Sequence, residues 1–224
     1  MQKPIQRFLK DLKTQIRKTA YNKRIVSVVL LGSAAQGEWI RGESDIDMII
    51  VVKTNDDKKP ISEFFQLLMK KLNKKHRLKL EDTTAIYKKY KNPVIAAFMK
   101  IEESTLIGRP YYIISLDDYD FIKNKIKDPR VWFLATFVGP LNIFLLSLKR
   151  TGKTIYGKNL LKYIDVKVSS FERFKLGVSQ AYFILASLIM LPFNSKLALK
   201  HSIKATLHQE EDGLLLLGKI QRAM

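Results

Sequence analysis

Two acidic residues at the start of an apolar run are the residues of this sequence best suited to chemistry. Asp45 and Asp47 flank Ile46 in the segment SDIDMIIVV, residues 44–52. Side chains two positions apart in an extended chain project from the same side, so the two carboxylates are expected to converge. Converging carboxylates repel each other unless a cation neutralises them, and Mg²⁺ is held by one or two carboxylates together with substrate phosphates. The spacing therefore predicts a site for magnesium and a phosphorylated substrate.

A glycine and a serine upstream supply the groups that a phosphate needs. Gly32 and Ser33 follow the β-branched run RIVSVVLL and precede a predicted helix. Glycine lets the backbone approach a phosphate, the serine hydroxyl donates a hydrogen bond, and the first N–H groups of a helix attract anions. Phosphates and metal would lie between this turn and the Asp pair, an arrangement suited to phosphoryl or nucleotidyl transfer. Ser44 either contacts the phosphates or caps the turn before Asp45.

The segment GSAAQGEWIRGESDID, residues 32–47, resembles the signature of the DNA polymerase β-like nucleotidyltransferase superfamily. The helical tail looks like the helical regions that follow the catalytic head in small archaeal and bacterial members of this superfamily. The resemblance implies two Mg²⁺ ions, a nucleoside triphosphate donor, attack by an acceptor hydroxyl on the α-phosphate, and release of pyrophosphate. We expect the donor to be ATP and the transferred group to be AMP. It also implies that Gly32 and Ser33 bind the donor's phosphates, and that Asp45 and Asp47 are catalytic metal ligands.

Active members of this superfamily also place a third carboxylate on a neighbouring strand, where it binds the catalytic metal. We assign this role to Glu81, which ends the alternating segment RLKLE, a predicted strand at residues 77–81. Asp82 is one alternative, and the absence of a third acid, with Lys79 in its place, is another. With the third acid, the chain is predicted to be an enzyme. Without it, the chain would be a weak or inactive module that binds nucleotide or RNA as an antitoxin-like or regulatory partner.

Composition narrows the setting and the partners. The chain has 224 residues, no cysteine and a net charge of +19. Without cysteine there is no disulfide, thiolate metal site or cysteine nucleophile, which favours a cytoplasmic protein. The positive charge favours polyanionic partners, among them nucleotides and RNA. The acceptor stays open between RNA such as tRNA, a protein and a small-molecule hydroxyl, and a homo-oligomer is compatible with the sequence.

The elements that must position these residues alternate in the first part of the chain. Helical periodicity indicates an amphipathic helix over residues 1–18, and apolar runs indicate strands at 24–31 and 44–52. A helix starts near Pro60, and a short strand is expected at 111–115. After about residue 128 the strand pattern stops, and three long helical segments follow, around residues 131–150, 170–191 and 195–218.

The predicted fold is therefore α/β, with a small mixed β-sheet nucleotidyltransferase head followed by an all-helical C-terminal domain. The domain ranges are 1–128 for the catalytic head and 129–224 for the helical part. The uncharged run from Val131 to Leu148 is long enough to be checked as a membrane span. Gly139 and Pro140 interrupt it, so we interpret it as a buried helix and expect no stable membrane insertion.

Overall fold

The structure is a computed structural model that describes residues 3–80, 91–93, 95–97, 111–129, 132 and 141–216. Its helices are α1 (Lys3–Lys18), α2 (Gly32–Gln36), α3 (Lys58–His76), α4 (Leu141–Thr151), α5 (Ser170–Met190) and α6 (Ser195–Leu216). Its strands are β1 (Ile25–Leu30), β2 (Met48–Val52), β3 (Tyr111–Ser115), β4 (Tyr119–Asp120), β5 (Lys125–Ile126) and β6 (Lys153–Gly157).

One mixed sheet organises the first part of the protein. Its strand order is β3-β2-β1-β6. Strand β1 is antiparallel to both β2 and β6, whereas β2 is parallel to β3. The central strands β1 and β2 are apolar almost throughout and buried on both faces, as interior strands of a covered sheet require. The prediction of an α/β protein with a small mixed sheet and helices is confirmed.

Two amphipathic helices cover one face of this sheet. Apolar residues three or four positions apart bury one side of α1, as the helical periodicity of residues 1–18 predicted. A similar row on α3 is buried as well. Both rows join the inward side chains of β1 and β2 in one hydrophobic core, represented by Phe8, Leu12, Phe65, Leu30 and Ile50. This core fixes the ends of β1 and β2 relative to α1.

A strand follows where none was predicted. Residues Lys153–Gly157 form β6, which pairs with β1 at the edge of the sheet. The prediction that strands end near residue 128 is therefore wrong. The segment KTIYG is only partly buried, because it is an edge strand. A partly buried strand does not need the continuous apolar run of β1 and β2, so the apolar pattern gave no sign of it.

Contacts divide the chain into two compact units whose segments alternate along the sequence. One unit comprises Met1–Thr84, Thr105–Asp128 and Thr151–Ile164, and the other comprises Ala85–Ser104, Pro129–Arg150 and Asp165–Met224. The ranges 1–128 and 129–224 remain our proposal for the catalytic and helical domains. Among the described residues, no helix combines the length and hydropathy needed to cross a membrane.

Helices dominate the described residues of the second unit. Ser169 caps α5 by accepting a hydrogen bond from the N–H of Glu172 at 3.2 Å. Helices α5 and α6 are joined by a short turn and pack against each other, with the Ser187 hydroxyl donating to the carbonyl of Ala198 at 2.8 Å. Glu172 and Lys175 form a buried ion pair at 2.6 Å near the start of α5.

Candidate active site

The Asp pair and the Gly32 turn lie at one end of the sheet. Leu30 pairs with Met48, and the N–H of Leu31 donates to the carbonyl of Asp47 at 2.9 Å. This hydrogen bond continues the β1–β2 pairing one step beyond the strands. It brings Gly32, the next residue, beside the chain that carries the two acids.

Both acids lie just before β2 and not inside the strand predicted at 44–52, because β2 begins at Met48. The predicted alternation of side chains is nevertheless present. Ile46 is fully buried, Asp45 is exposed and Asp47 is half-buried. Alternating burial is the pattern of an extended segment with one side in the core, and it places Asp45 and Asp47 together on the opposite side.

Gly32 approaches Asp47 so closely that a larger residue would not fit without movement. The backbone of Gly32 has φ +59°, in the left-handed region that favours glycine. A Cβ atom at this position would lie 3.3 Å from Oδ2 of Asp47. The missing side chain of Gly32 thus lets the turn lie directly beside this carboxylate.

Ser33 lies in the first turn of α2 beside Gly32. The carbonyl of Ser33 accepts hydrogen bonds from Gly37 and Glu38, both at 2.9 Å, and these bonds close the short helix. Among the described residues, the half-buried Ser33 hydroxyl forms no hydrogen bond. Its hydroxyl is therefore available to a ligand next to Asp47.

Ser44 has a structural role in the loop before the acids. Its hydroxyl oxygen accepts a hydrogen bond from the N–H of Ile40 at 3.0 Å, and its carbonyl accepts one from the indole of Trp39 at 2.9 Å. Trp39 is buried and anchors the loop in the core. This geometry is the turn-capping alternative for Ser44, and its assignment to nucleotide binding stays a prediction.

The segment predicted as a strand at 77–81 is not a strand over residues 77–80. Arg77 ends α3 with φ +51°, and Lys79 has φ +62°. Left-handed residues cannot continue a β-ladder, and the side chain of Asn73 replaces the ladder by bonding both the N–H and the carbonyl of Leu80. The strand prediction is therefore wrong at these positions.

Exposed Lys79 instead lies beside the loop before the acids. A Cβ atom on Gly42 would be 3.6 Å from Cδ of Lys79, and Nε of Arg41 donates to the carbonyl of Arg77 at 2.7 Å. Glu81 and Asp82, our two candidates for the third carboxylate, lie outside the described residues. Their role in metal binding stays a prediction.

The neighbouring strand contributes Tyr112, a residue that the sequence analysis did not select. Strand β3 runs parallel to β2, with Tyr112 opposite Ile49. Because Asp47 is two positions before Ile49, Tyr112 projects from the same face as Asp47. Burial, and to a smaller extent the charge of Asp47, raise the pKa of Tyr112 to about 12, so the phenol is neutral beside the acid. The strand at 111–115 was predicted, but nothing in its own sequence indicated that it would pair with β2.

The two acids suit Mg²⁺ bound together with a substrate's phosphates. The donors are carboxylate oxygens, which Mg²⁺ prefers, and the Gly32 turn lies directly beside one of them. Within the described ranges, no group of three His, Cys, Asp or Glu side chains is placed to hold a metal ion. A metal at this site would accordingly depend on ligands from the substrate, from water or from residues outside those ranges.

Comparison with known proteins assigns the chain to a family. The nucleotidyltransferase domain family matches residues 6–191, a range that includes the Gly32 turn, both acids and β6. The chain belongs to this family. It is thus a nucleotidyltransferase, and the predicted superfamily is confirmed.

The nucleotidyltransferase is also similar to a solved structure, that of the spectinomycin adenyltransferase AAD(9) from Enterococcus faecialis with ATP and spectinomycin. The two chains share 14% sequence identity with a TM-score of 0.40, and the alignment covers 97% of this chain and 91% of that chain. No functionally curated protein sequence matches the chain.

Proposed function

We propose that this nucleotidyltransferase is Mg²⁺-dependent and transfers AMP from ATP to an acceptor hydroxyl. The observation that carries the proposal is the close approach of Gly32 to Asp47, since it brings the turn that we assign to the phosphates next to a carboxylate that we assign to the metal. The acceptor oxygen forms a bond to the α-phosphorus while the bond from that phosphorus to the bridging oxygen breaks. Pyrophosphate leaves with the electron pair, and the acceptor proton passes to a base or to water.

Each residue of the site has a definite task in this proposal. Asp45 and Asp47 hold the cation, Ser33 donates its hydroxyl to the triphosphate, and Gly32 lets the phosphates reach Asp47. Bound Mg²⁺, for which we expect two ions, would neutralise the phosphate charge that opposes nucleophilic attack. Glu81 remains our proposal for the third ligand.

The cellular compartment and the class of acceptor are proposed from the composition of the chain. The absence of cysteine and the need for ATP lead us to place the reaction in the cytoplasm. The net charge of +19 supports an acceptor or partner that carries negative charge. The other possible acceptors are a protein and a small alcohol, and the experiment below distinguishes both of them from RNA.

The decisive experiment removes one negative charge at a time while retaining the side-chain shape. Wild type, Asp45→Asn and Asp47→Asn are incubated with α-labelled ATP, Mg²⁺ and cell lysate, and the labelled product is separated into RNA, protein and small molecules. The control is Asp56→Asn, which changes an exposed acid in the turn Asn55–Asp57. Circular dichroism melting checks that all variants fold.

We expect label transfer by wild type and the control, and none by the two site variants. Transfer at the wild-type rate by both site variants would refute the proposal. If the wild type binds ATP but labels nothing, the binding module described in the sequence analysis becomes the better description. Unlabelled GTP, CTP and UTP as competitors determine whether the donor is ATP.

A further inference from the structure

A cavity of about 400 Å³ lies between α1 and the edge of the sheet. Its walls include three lysines, Lys10 and Lys13 from α1 and Lys153 from the start of β6. Its apolar lining comes from Leu9, Leu30 and Ile155. The volume is in the range of pockets that bind small molecules, and the lining joins an aliphatic floor to cationic walls.

The exposed side of α1 extends this positive charge beyond the cavity. The helix carries six basic residues, and no ion pair joins any of them within the described part of the chain: Lys3, Arg7, Lys10, Lys13, Arg17 and Lys18. Its one acid, Asp11, is bound at 2.5 Å by Lys75 and at 3.0 Å by His76. The positive charge of α1 is therefore not balanced locally.

The spacing of these residues defines a line along one side of the helix. With 100° per residue, five of the six basic residues fall opposite the buried row that includes Phe8 and Leu12. Lys13 lies at the side of that row, and it lines the cavity together with Lys10. From Lys3 to Arg17 the line is about 21 Å long, at 1.5 Å per residue. A ligand that used the whole line would be an extended polyanion and not a single small anion.

The cavity is close to the candidate active site along the chain. Leu30, part of its floor, is paired with Met48 on one side and with Lys153 on the other. Gly32 follows two residues later, which corresponds to a Cα separation of at most about 7 Å. The cavity and the Asp pair thus lie at the same end of the sheet, the cavity on the face covered by α1 and the acids on the other.

We propose that α1 and β6 form the binding site for a single-stranded RNA acceptor, with one nucleotide in the cavity and the adjoining phosphates along α1. Aliphatic side chains suit the apolar faces of a base, and ammonium and guanidinium groups suit the backbone phosphates. The length of the charged line favours RNA over a small anion, and Arg7 and Arg17 add the planar donors that bind phosphate in pairs. The role as acceptor rests on the proposed function, whereas RNA binding itself does not.

The test measures binding of a fluorescent single-stranded RNA to the full chain by anisotropy, without ATP or Mg²⁺, at several KCl concentrations. The cavity variant combines Lys10→Gln, Lys13→Gln and Lys153→Gln. The matched control combines Lys59→Gln, Lys71→Gln and Lys74→Gln, which removes the same charge from exposed positions of α3 that do not line the cavity.

We expect the cavity variant to weaken RNA binding roughly tenfold or more, and to reduce the slope of log Kd against log salt by about 2, at 0.7 per phosphate contact. The control should change Kd less than about threefold. Equal weakening by both variants would overturn the proposal, as would equal competition by polyglutamate and unlabelled RNA. If the cavity variant melts early, Arg7→Gln with Arg17→Gln is measured in its place, and an unchanged salt slope then counts against the proposal.

Binding and transfer can fail separately. RNA binding that depends on the cavity, in a chain that transfers no AMP, would keep the site and refute the proposed function. Transfer of AMP to a protein or a small alcohol, at a rate unaffected by the cavity variant, would keep the proposed function and refute this site.

Discussion

Replacing Gly32 with alanine is the sharpest test of how this site is built. The substitution adds one methyl group, and the structure gives its surroundings. The new Cβ would lie 3.3 Å from Oδ2 of Asp47, closer than carbon and oxygen normally approach without movement. The carboxylate must therefore shift by a few tenths of an ångström, or the turn must shift away from it. Either movement changes the space that we assign to the phosphates.

Two costs are expected, and they can be separated. An alanine at φ +59° lowers the free energy of unfolding by about 1–2 kcal/mol, because the left-handed backbone is unfavourable for it. This loss corresponds to a fall in Tm of roughly 2–8 °C for a chain of this size. Displacing a group that orients a metal ligand typically costs about 10–100-fold in metal affinity. The first cost concerns folding, and the second concerns the site alone.

Gly42→Ala is the matched control, because it should lower the stability through the left-handed backbone without disturbing a metal ligand. Gly42 has φ +81°, and its Cβ would meet Cδ and Cβ of Lys79 at ordinary distances of 3.6 and 3.8 Å. Both variants should melt a few degrees below wild type. Calorimetric titration with MnCl₂ and a non-hydrolysable ATP analogue should show a loss of at least about tenfold for Gly32→Ala and little change for Gly42→Ala. Equal affinities in the two variants would refute the argument that Gly32 makes room beside Asp47.

Two tyrosines give the remaining predictions. Tyr112→Glu places a third acid on the face of Asp47, so we expect a lower Tm in EDTA and a larger rise in Tm with MnCl₂ than in wild type. The same Mn²⁺-induced rise in both proteins would contradict the assigned face. Burial, with a smaller contribution from Asp120, raises the pKa of Tyr119 to about 12, so the folded state keeps a proton that the unfolded state loses near pH 10. This stability is present below pH 10 and is lost as pH rises through 12. Tyr119→Phe should therefore flatten the decline in urea-unfolding free energy between pH 9 and 11.5, and an unchanged decline would exclude Tyr119 as its source.

The sequence predicted those parts of the fold whose signal is local. A continuous apolar run gave β1 and β2, and helical periodicity gave α1. Ser115 and Asp118 have the S-x-x-D spacing that is typical of a helix start, and they bond reciprocally, with Asp118 N–H donating to Ser115 Oγ at 3.1 Å and Ser115 N–H donating to Asp118 Oδ2 at 2.9 Å. That pair closes a turn before β4 and not the start of a helix. The same residues can thus make the bonds of a helix cap in a different element.

The parts of the fold that were not predicted depend on contacts between residues far apart in the sequence. Whether β6 joins the sheet is decided by β1, more than a hundred residues away, and not by the composition of KTIYG. The alternation of residues 77–80 was outweighed by two left-handed residues and by Asn73, which no hydropathy pattern reveals. Tyr112 reaches the face of Asp47 only because β3 lies parallel to β2 in one register.

The two faces at this end of the sheet allow one small domain to bind two polyanions, ATP and RNA, at separate sites. ATP and RNA repel each other, and a single open cleft lined with lysines would let either occupy the place of the other. Here the acids lie on one face, opposite the core side chains of β2, whereas the lysines of α1 and β6 lie on the other. ATP binding should therefore require a divalent cation and depend weakly on KCl, whereas RNA binding should need no divalent cation and weaken steeply with KCl. A common salt dependence for both ligands would mean that they share one site, and the separation by face would then be wrong.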